Sequence, residues 1–397
     1  MLCRVSRRPW LLLPVLVLLG CGADPAPGPD PVADGPPPGA PSLQVDVLAD
    51  GLDHPWDVAP APDGTLLVDQ LAGGFTAVRP DGTVQSVAAD LGDLFARGDT
   101  GLMGLALDRD FATNRRFYSC QGVQEAGGPE VQVIAWTVDE AWTSATRVAD
   151  PLLGGIPVDP VDGRDGACSL QLDGAGQLLV GTGDALVGTA PQDLFSPAGK
   201  LLAIDPATGG PELFAGWDEG TPPAVQRVYG YGHRDVVGIA LQPETDEVYV
   251  AEPGNGRDDE VDHEWRHGDH GYDPAGAGGG YRADAPMTDL DRGGVEPPLW
   301  SSGDQTLGVA GLAFLQGEEW GVYDDLLVVA LGEDTGLLAL QVDRDPQGRL
   351  RRVFRVPELE DAHGRLRTPR AGPDGVLYLL TGNGGGADQL LRVTPRG

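Results

Sequence analysis

Short apolar runs recur along this chain, and each is closed by an Asp-Gly or Pro-Asp-Gly turn. Trp56-Asp-Val-Ala-Pro-Ala-Pro-Asp63-Gly64 leads into Leu66-Leu-Val68, and Gly101-Leu-Met-Gly-Leu-Ala-Leu107 leads into Phe117-Tyr118. Ser169-Leu-Gln-Leu172 precedes an Asp173-Gly-Ala-Gly176 turn and Leu178-Leu-Val180, and Val237-Gly-Ile-Ala-Leu-Gln-Pro243 precedes Val248-Tyr-Val250. Val309-Ala-Gly-Leu-Ala-Phe314 and Pro369-Arg-Ala-Gly-Pro-Asp374-Gly375 open two further units. A repeat of this length, about 50 to 70 residues, marks a repeat architecture. Asp-Gly between apolar runs is strong hairpin punctuation. Later strands of a unit are visible too, at Phe75 to Val78, Lys200 to Ile204 and Leu337 to Val342. Four-stranded sheets repeated radially leave only short edges. The pattern therefore predicts an all-β, six-bladed β-propeller of four-stranded antiparallel blades, its closing blade shared by strands near Leu43 to Val47 and Leu390 to Val393. No long stretch carries apolar residues at helical spacing, which excludes a parallel α/β fold. A β-sandwich with long insertions is the structural alternative.

Composition agrees: among 397 residues there are 60 Gly and 35 Pro, and only 6% are aromatic. The net charge of −33 excludes a generic nucleic-acid binder, since phosphate neutralisation needs Lys and Arg. Residues 1–21 read as an export signal, with Arg4, Arg7 and Arg8 before an apolar run too short to span a bilayer. Leu18-Leu-Gly-Cys21 resembles a bacterial lipobox, which makes Cys21 the candidate for lipidation and implies a lipoprotein held at the periplasmic or cell-surface side of a membrane; ordinary secretion is the alternative. Residues 22–42, rich in Pro, Gly, Ala and Asp, form a disordered tether, and 43–397 the propeller. Cys120 and Cys168 remain in the exported part, in strand-like segments of neighbouring repeats, where an oxidising compartment permits a disulfide.

No nucleophile elbow, Walker loop, C-x-x-C pair or dinucleotide fingerprint is present. Gly276 to Gly280 and Gly382 to Gly386 read as turns. His263 and His267 have a zinc-like spacing only on a helix, and they fall in a Gly/Asp-rich stretch. Asp258, Asp259, Glu260 and Asp262, with Glu252 and Asp273 nearby, offer the hard oxygens that Ca²⁺ takes; a solvated acidic loop is the other reading of the same residues.

The stretch Tyr229-Gly-Tyr-Gly-His233-Arg234-Asp235, then Glu252-Pro-Gly-Asn-Gly-Arg-Asp258-Asp259-Glu260, then Gly268-Asp-His-Gly-Tyr-Asp-Pro274 resembles the soluble PQQ-dependent sugar dehydrogenases of the glucose/sorbosone type. Their corresponding motifs run G-H-R-N, E-H-G-P with D-E-I-N, and N-Y-G-W-P. Gly51-Leu-Asp-His-Pro-Trp-Asp57, Gly101 to Phe111, Gly181-Thr-Gly-Asp184, Gln192-Asp193 and Gly199-Lys200 match further stations in order. The resemblance implies a PQQ cofactor whose carboxylates are held by Arg234, Arg365 and Arg367, since guanidinium forks match carboxylates bidentately. It also implies Ca²⁺ at a loop comprising Glu252, Pro253, Gly254 and Asp259, with Asp273 close by. The expected activity is oxidation of an aldose at the C1 hydroxyl, with a separate electron acceptor. Three stations depart from the family: Asp165 stands where the catalytic histidine belongs, Asp99 replaces a Gln or Glu, and Gly332 and Glu333 occupy the place of a lysine. An aspartate can act as a base but is weaker than imidazole near neutrality unless its pKa is raised, so weak or lost turnover is expected. A non-catalytic surface propeller binding a glycan or protein, and a calcium-dependent lactonase-like hydrolase, are the competing functions.

Overall fold

The computed structural model describes residues 35–211, 217, 220–344 and 347–396. The candidate lipidation site at Cys21, the export signal and most of the tether lie outside the described residues.

Six small sheets stand around a central axis, and each of the six sequence units forms one of them. The innermost strand of each blade carries the unit's opening apolar run: Pro55–Pro60, Leu102–Leu107, Cys168–Leu172, Gly238–Leu241, Val309–Phe314 and Leu366–Ala371. The second strands are buried along their whole length, as in Leu178–Thr182, Leu327–Leu331 and Leu377–Thr381. A blade is covered on both faces by its neighbours, so these strands read as unbroken apolar runs rather than alternating ones. Outer strands such as Val84–Val87 are mostly exposed at the rim.

The closing blade is built from both ends of the domain. Leu43–Leu52 pairs antiparallel with Asp388–Pro395, from Leu43 opposite Pro395 to Leu52 opposite Asp388. Blade three departs from the four-strand expectation, because Gly268–Asp269 adds a short parallel fifth strand through Gly230 and Tyr231. That pairing brings the 268–274 segment back beside the connector that carries His233 and Arg234. Among the described residues every α-helix is a single short turn, such as Phe111–Asn114.

Cys120 in blade two and Cys168 in blade three form a disulfide, their Cα atoms 5.8 Å apart. The bond ties adjacent blades at the inner end, where both residues are buried. On the axis, Arg370 donates to both oxygens of Asp57, at 2.8 and 2.6 Å, and to Gln171 Oε1 at 2.9 Å. Asp57 also accepts the Leu105 amide at 2.9 Å, so this ion pair joins blades one, two, three and six.

Candidate functional site

The chain enters every innermost strand from the same end of the propeller, so residues just before those strands meet at one mouth of the channel. Trp56, Asp99, Asp165, Arg234, Arg365 and Arg367 line a cavity there of about 290 Å³, near the lower end of the ~300–1,000 Å³ usual for small-molecule sites. The five residues expected from sequence for base and cofactor roles thus share one cavity. Small residues, Gly308, Ala310, Gly332 and Gly382, make part of its wall, and Asp235, Pro253 and Glu333 complete its polar lining.

Asp165 sits in the left-handed backbone region at φ 48°, a conformation Asp and Asn tolerate better than most residues. Its carbonyl crowds Gly183, where any side chain would collide with it. The Asp165 carboxylate accepts from Arg234 Nη2 at 2.7 Å, and the Tyr281 hydroxyl lies 3.5 Å from its other oxygen. Burial pushes its pKa above the usual carboxylate range; Arg234 opposes that shift, and the charge of Asp99 adds to it. Burial, with the charge of Asp165, also raises Asp184 to about 7 and Asp235 well above the ordinary range.

The three arginines differ. Arg234 is committed to Asp165 and donates to the Pro253 carbonyl at 2.7 Å. Arg367 lies over the Trp56 ring with its guanidinium carbon 3.1 Å from the ring centre, and its buried Nε has no hydrogen-bond partner among the described residues. Burial lowers its pKa to about 10, so it stays cationic at neutrality. Arg365 is exposed at the lip, and among the described residues neither it nor Arg367 forms an ion pair. Two uncommitted guanidiniums beside an aromatic wall and a glycine-rich wall suit a flat, multiply anionic ligand.

The acidic loop is built differently from the expectation. Glu252 turns inward: its carboxylate meets His233 Nδ1 and accepts the amides of Arg234 at 2.7 Å and Asp235 at 3.2 Å. Asp259 Oδ1 accepts the Gly254 amide at 2.8 Å, and Oδ2 accepts those of Leu307 and Gly308 at 2.6 and 2.7 Å. Asp273 stands apart, ion-paired with Arg292 at 2.7 Å. With the Pro253 carbonyl taken by Arg234, these five residues do not present a convergent set of free oxygens, and they do not fit a calcium ion as placed. His263 lies on the strand Glu260–His263 rather than in a loop, and pairs with Glu247 at 2.9 Å, while His267 packs on Trp217.

Residues 52–392 match the family model described as Glucose / Sorbosone dehydrogenase, most of the chain and all six blades. The chain belongs to that family. A curated relative, the aldose sugar dehydrogenase YliI of Escherichia coli, is 27% identical over 89% of this chain and 94% of its own length. Among solved structures, the soluble aldose sugar dehydrogenase of Escherichia coli in its apo-form covers 89% of this chain and 100% of its own at 23% identity and a TM-score of 0.75. The PQQ-bound form of aldose sugar dehydrogenase from Streptomyces coelicolor covers 90% of this chain and 100% of its own at 24% identity and a TM-score of 0.71. These two likenesses show the family's fold.

Tyr281 escaped the sequence reading because it follows a glycine run that reads only as a turn. Trp56 and Glu333 were visible as motif positions, but nothing local to them announces a shared cavity with Arg367.

Proposed function

We propose that this family member is a sugar dehydrogenase that binds PQQ in the channel-mouth cavity and oxidises an aldose at its C1 hydroxyl. The observation that carries the reading is the meeting of Asp165 with Arg234, Arg365 and Arg367 in one cavity of small-molecule size. When bound, PQQ would supply the two-electron acceptor to which the C1 hydride passes. Arg365 and Arg367 would hold its carboxylates, and Trp56 would cover one face of the ring system. Asp165, its pKa raised by burial yet restrained by Arg234, takes the hydroxyl proton as hydride leaves C1, and a sugar lactone results. Arg234 orients the Asp165 carboxylate through its 2.7 Å bond, and Tyr281 approaches the other oxygen. An aspartate so paired is a weaker base than a free imidazole, which makes slow turnover part of the proposal.

Calcium would require the acidic loop to release Asp259 from its three amide bonds. Export and display through a lipid on Cys21 belong to the proposal on the strength of the Leu18-Leu-Gly-Cys21 sequence; Cys21→Ser should move the protein from the membrane to the soluble fraction, and unchanged partitioning would refute this part. Dye reduction with a panel of aldoses, measured with and without added PQQ, tests the activity. PQQ-dependent turnover of at least one aldose is expected, and PQQ binding without any turnover would leave the non-catalytic reading in its place.

A further inference from the structure

On the blade side of the His233-Arg234-Asp235 connector, away from the cavity, four titratable side chains from three segments converge in the interior. His233 comes from the connector, Asp262 and Glu264 from the end of Glu260–His263 and the residue just after it, and His270 from the segment that follows Gly268–Asp269. Side-chain exposure is 0% for His233 and Glu264, 1% for Asp262 and 3% for His270. His233 Nε2 is 3.4 Å from Glu264 Oε1, His270 Nε2 is 3.2 Å from Glu264 Oε2, and His270 Nδ1 is 3.9 Å from Asp262 Oδ1. Each brings an imidazole nitrogen to a carboxylate oxygen at ion-pair distance. Beyond these ion-pair approaches, His233 Nε2, both ring nitrogens of His270 and all four carboxylate oxygens of Asp262 and Glu264 are buried without a well-formed hydrogen bond among the described residues. Buried polar atoms are nearly always satisfied, and so dense a group of exceptions calls for something that satisfies them together.

We propose that His233, His270 and Glu264, the last through both carboxylate oxygens, form a binding site for one divalent transition metal ion, with zinc the best match; Asp262 lies beside it, on the Nδ1 side of His270. Imidazole and carboxylate donors suit zinc, whereas calcium takes oxygen ligands alone. Bonds of about 2.0–2.1 Å to a tetrahedral ion separate neighbouring donors by about 3.3 Å, and the two Glu264 contacts stand at 3.2 and 3.4 Å. Candidate ligand atoms of His233, Glu264 and His270 all lie within 4.8 Å of one another.

Two features around the cluster serve the same end. His233 Nδ1 is bound to the Glu252 carboxylate, which fixes the tautomer and turns Nε2 toward the cluster, the usual arrangement behind a metal-bound histidine. Gly230 and Gly268 face each other across the parallel strand pair; a Cβ on Gly230 would strike the Glu264 carboxylate, and one on Gly268 would come 3.3 Å from His270 Nε2. Asp262 and His270 also stand where the family motifs quoted above carry Asn and Tyr. The ion would be closed off from solvent, and it would staple blade three to blade four. Through Glu252 it would brace the amides of Arg234 and Asp235. The site does not depend on the sugar dehydrogenase reading.

The chelator-stripped, folded full-length protein, titrated with Co²⁺ and followed by visible absorption, elemental analysis and melting, tests the proposal. One equivalent should bind, with the intense bands of four-coordinate cobalt and downfield imidazole N–H resonances from coordinated histidine, and Zn²⁺ but not millimolar Ca²⁺ should displace it. Glu264→Gln should weaken Co²⁺ at least tenfold. Uptake below half an equivalent, a weak six-coordinate spectrum, displacement by Ca²⁺, or undiminished binding in Glu264→Gln would each overturn the proposal, leaving a proton-bearing His–carboxylate cluster. Should Glu264→Gln fail to fold, the wild-type spectrum decides.

Discussion

Replacing Asp165 by Asn separates the chemistry assigned to this residue from its structural role. At φ 48° the backbone accepts Asn as readily as Asp, and the amide oxygen can still accept from Arg234 Nη2. Breaking a buried ion pair by removing one partner usually costs about 3–5 kcal/mol. Here the remaining acceptor, and relief from the charge of Asp99, should hold the loss to about 2 kcal/mol or less. The rate should suffer far more, because loss of a positioned base costs about 10²–10⁴-fold, or roughly 3–5 kcal/mol of barrier. Dye reduction by PQQ-loaded wild type and Asp165→Asn, with melting curves on both, measures the two quantities side by side. The wild-type rate should also rise with pH through a pKa above the usual carboxylate value near 4, and that limb should vanish in the variant. Asp165→His restores an imidazole at a backbone position histidine tolerates, and should raise kcat near pH 7. Turnover in Asp165→Asn within threefold of wild type would refute the base assignment and direct attention to Asp99 or Glu333.

Three further outcomes concern stability. Asp184, with a pKa raised from 3.8 to about 7, keeps its proton in the folded state while the unfolded chain loses it, so its contribution falls as pH rises from about 4 to about 7 and stays lost above. Asp184→Asn should therefore stabilise the protein at pH 8 by up to roughly 4 kcal/mol and have little effect at pH 4, as read from denaturant unfolding at the two pH values; equal effects at both would contradict it. Removing the Cys120–Cys168 bond by a double Ser substitution should cost about 4 kcal/mol, given the sequence separation of 48 residues, and unchanged melting would show that the bond does not form. Asp57→Ala leaves the buried Arg370 guanidinium without its partner and should destabilise by about 3–5 kcal/mol in denaturant unfolding, with a loss below 1 kcal/mol arguing against the axial pin.

The blades were legible because the signals that define them are local. Asp-Gly turns and apolar runs sit within a few residues of each other, and the second strands are apolar throughout because both faces are covered. The arginines and Asp165 were legible as motif positions, and the common direction of the inner strands explains why residues so far apart in sequence meet. What stayed hidden depends on pairing across blades. Nothing near Arg234 shows that it will be held by Asp165, or that Glu252 will turn inward to His233 instead of lining an ion loop. Asp259 reads as an open carboxylate until the Leu307 and Gly308 amides of the next blade arrive. The histidine pair visible in sequence, His263 and His267, is parted by a strand end, whereas His233 and His270 stack 4.5 Å apart because a two-residue parallel strand folds one segment back on the other.

The most direct measurement is a single turnover in the absence of an external acceptor: PQQ-loaded protein is mixed anaerobically with an aldose while the quinone absorbance is followed. Loss of the oxidised quinone spectrum, stoichiometric with the PQQ bound and accompanied by one equivalent of lactone, is the predicted result. A spectrum unchanged by every aldose in protein that holds PQQ tightly would contradict the assignment of this cavity to sugar oxidation.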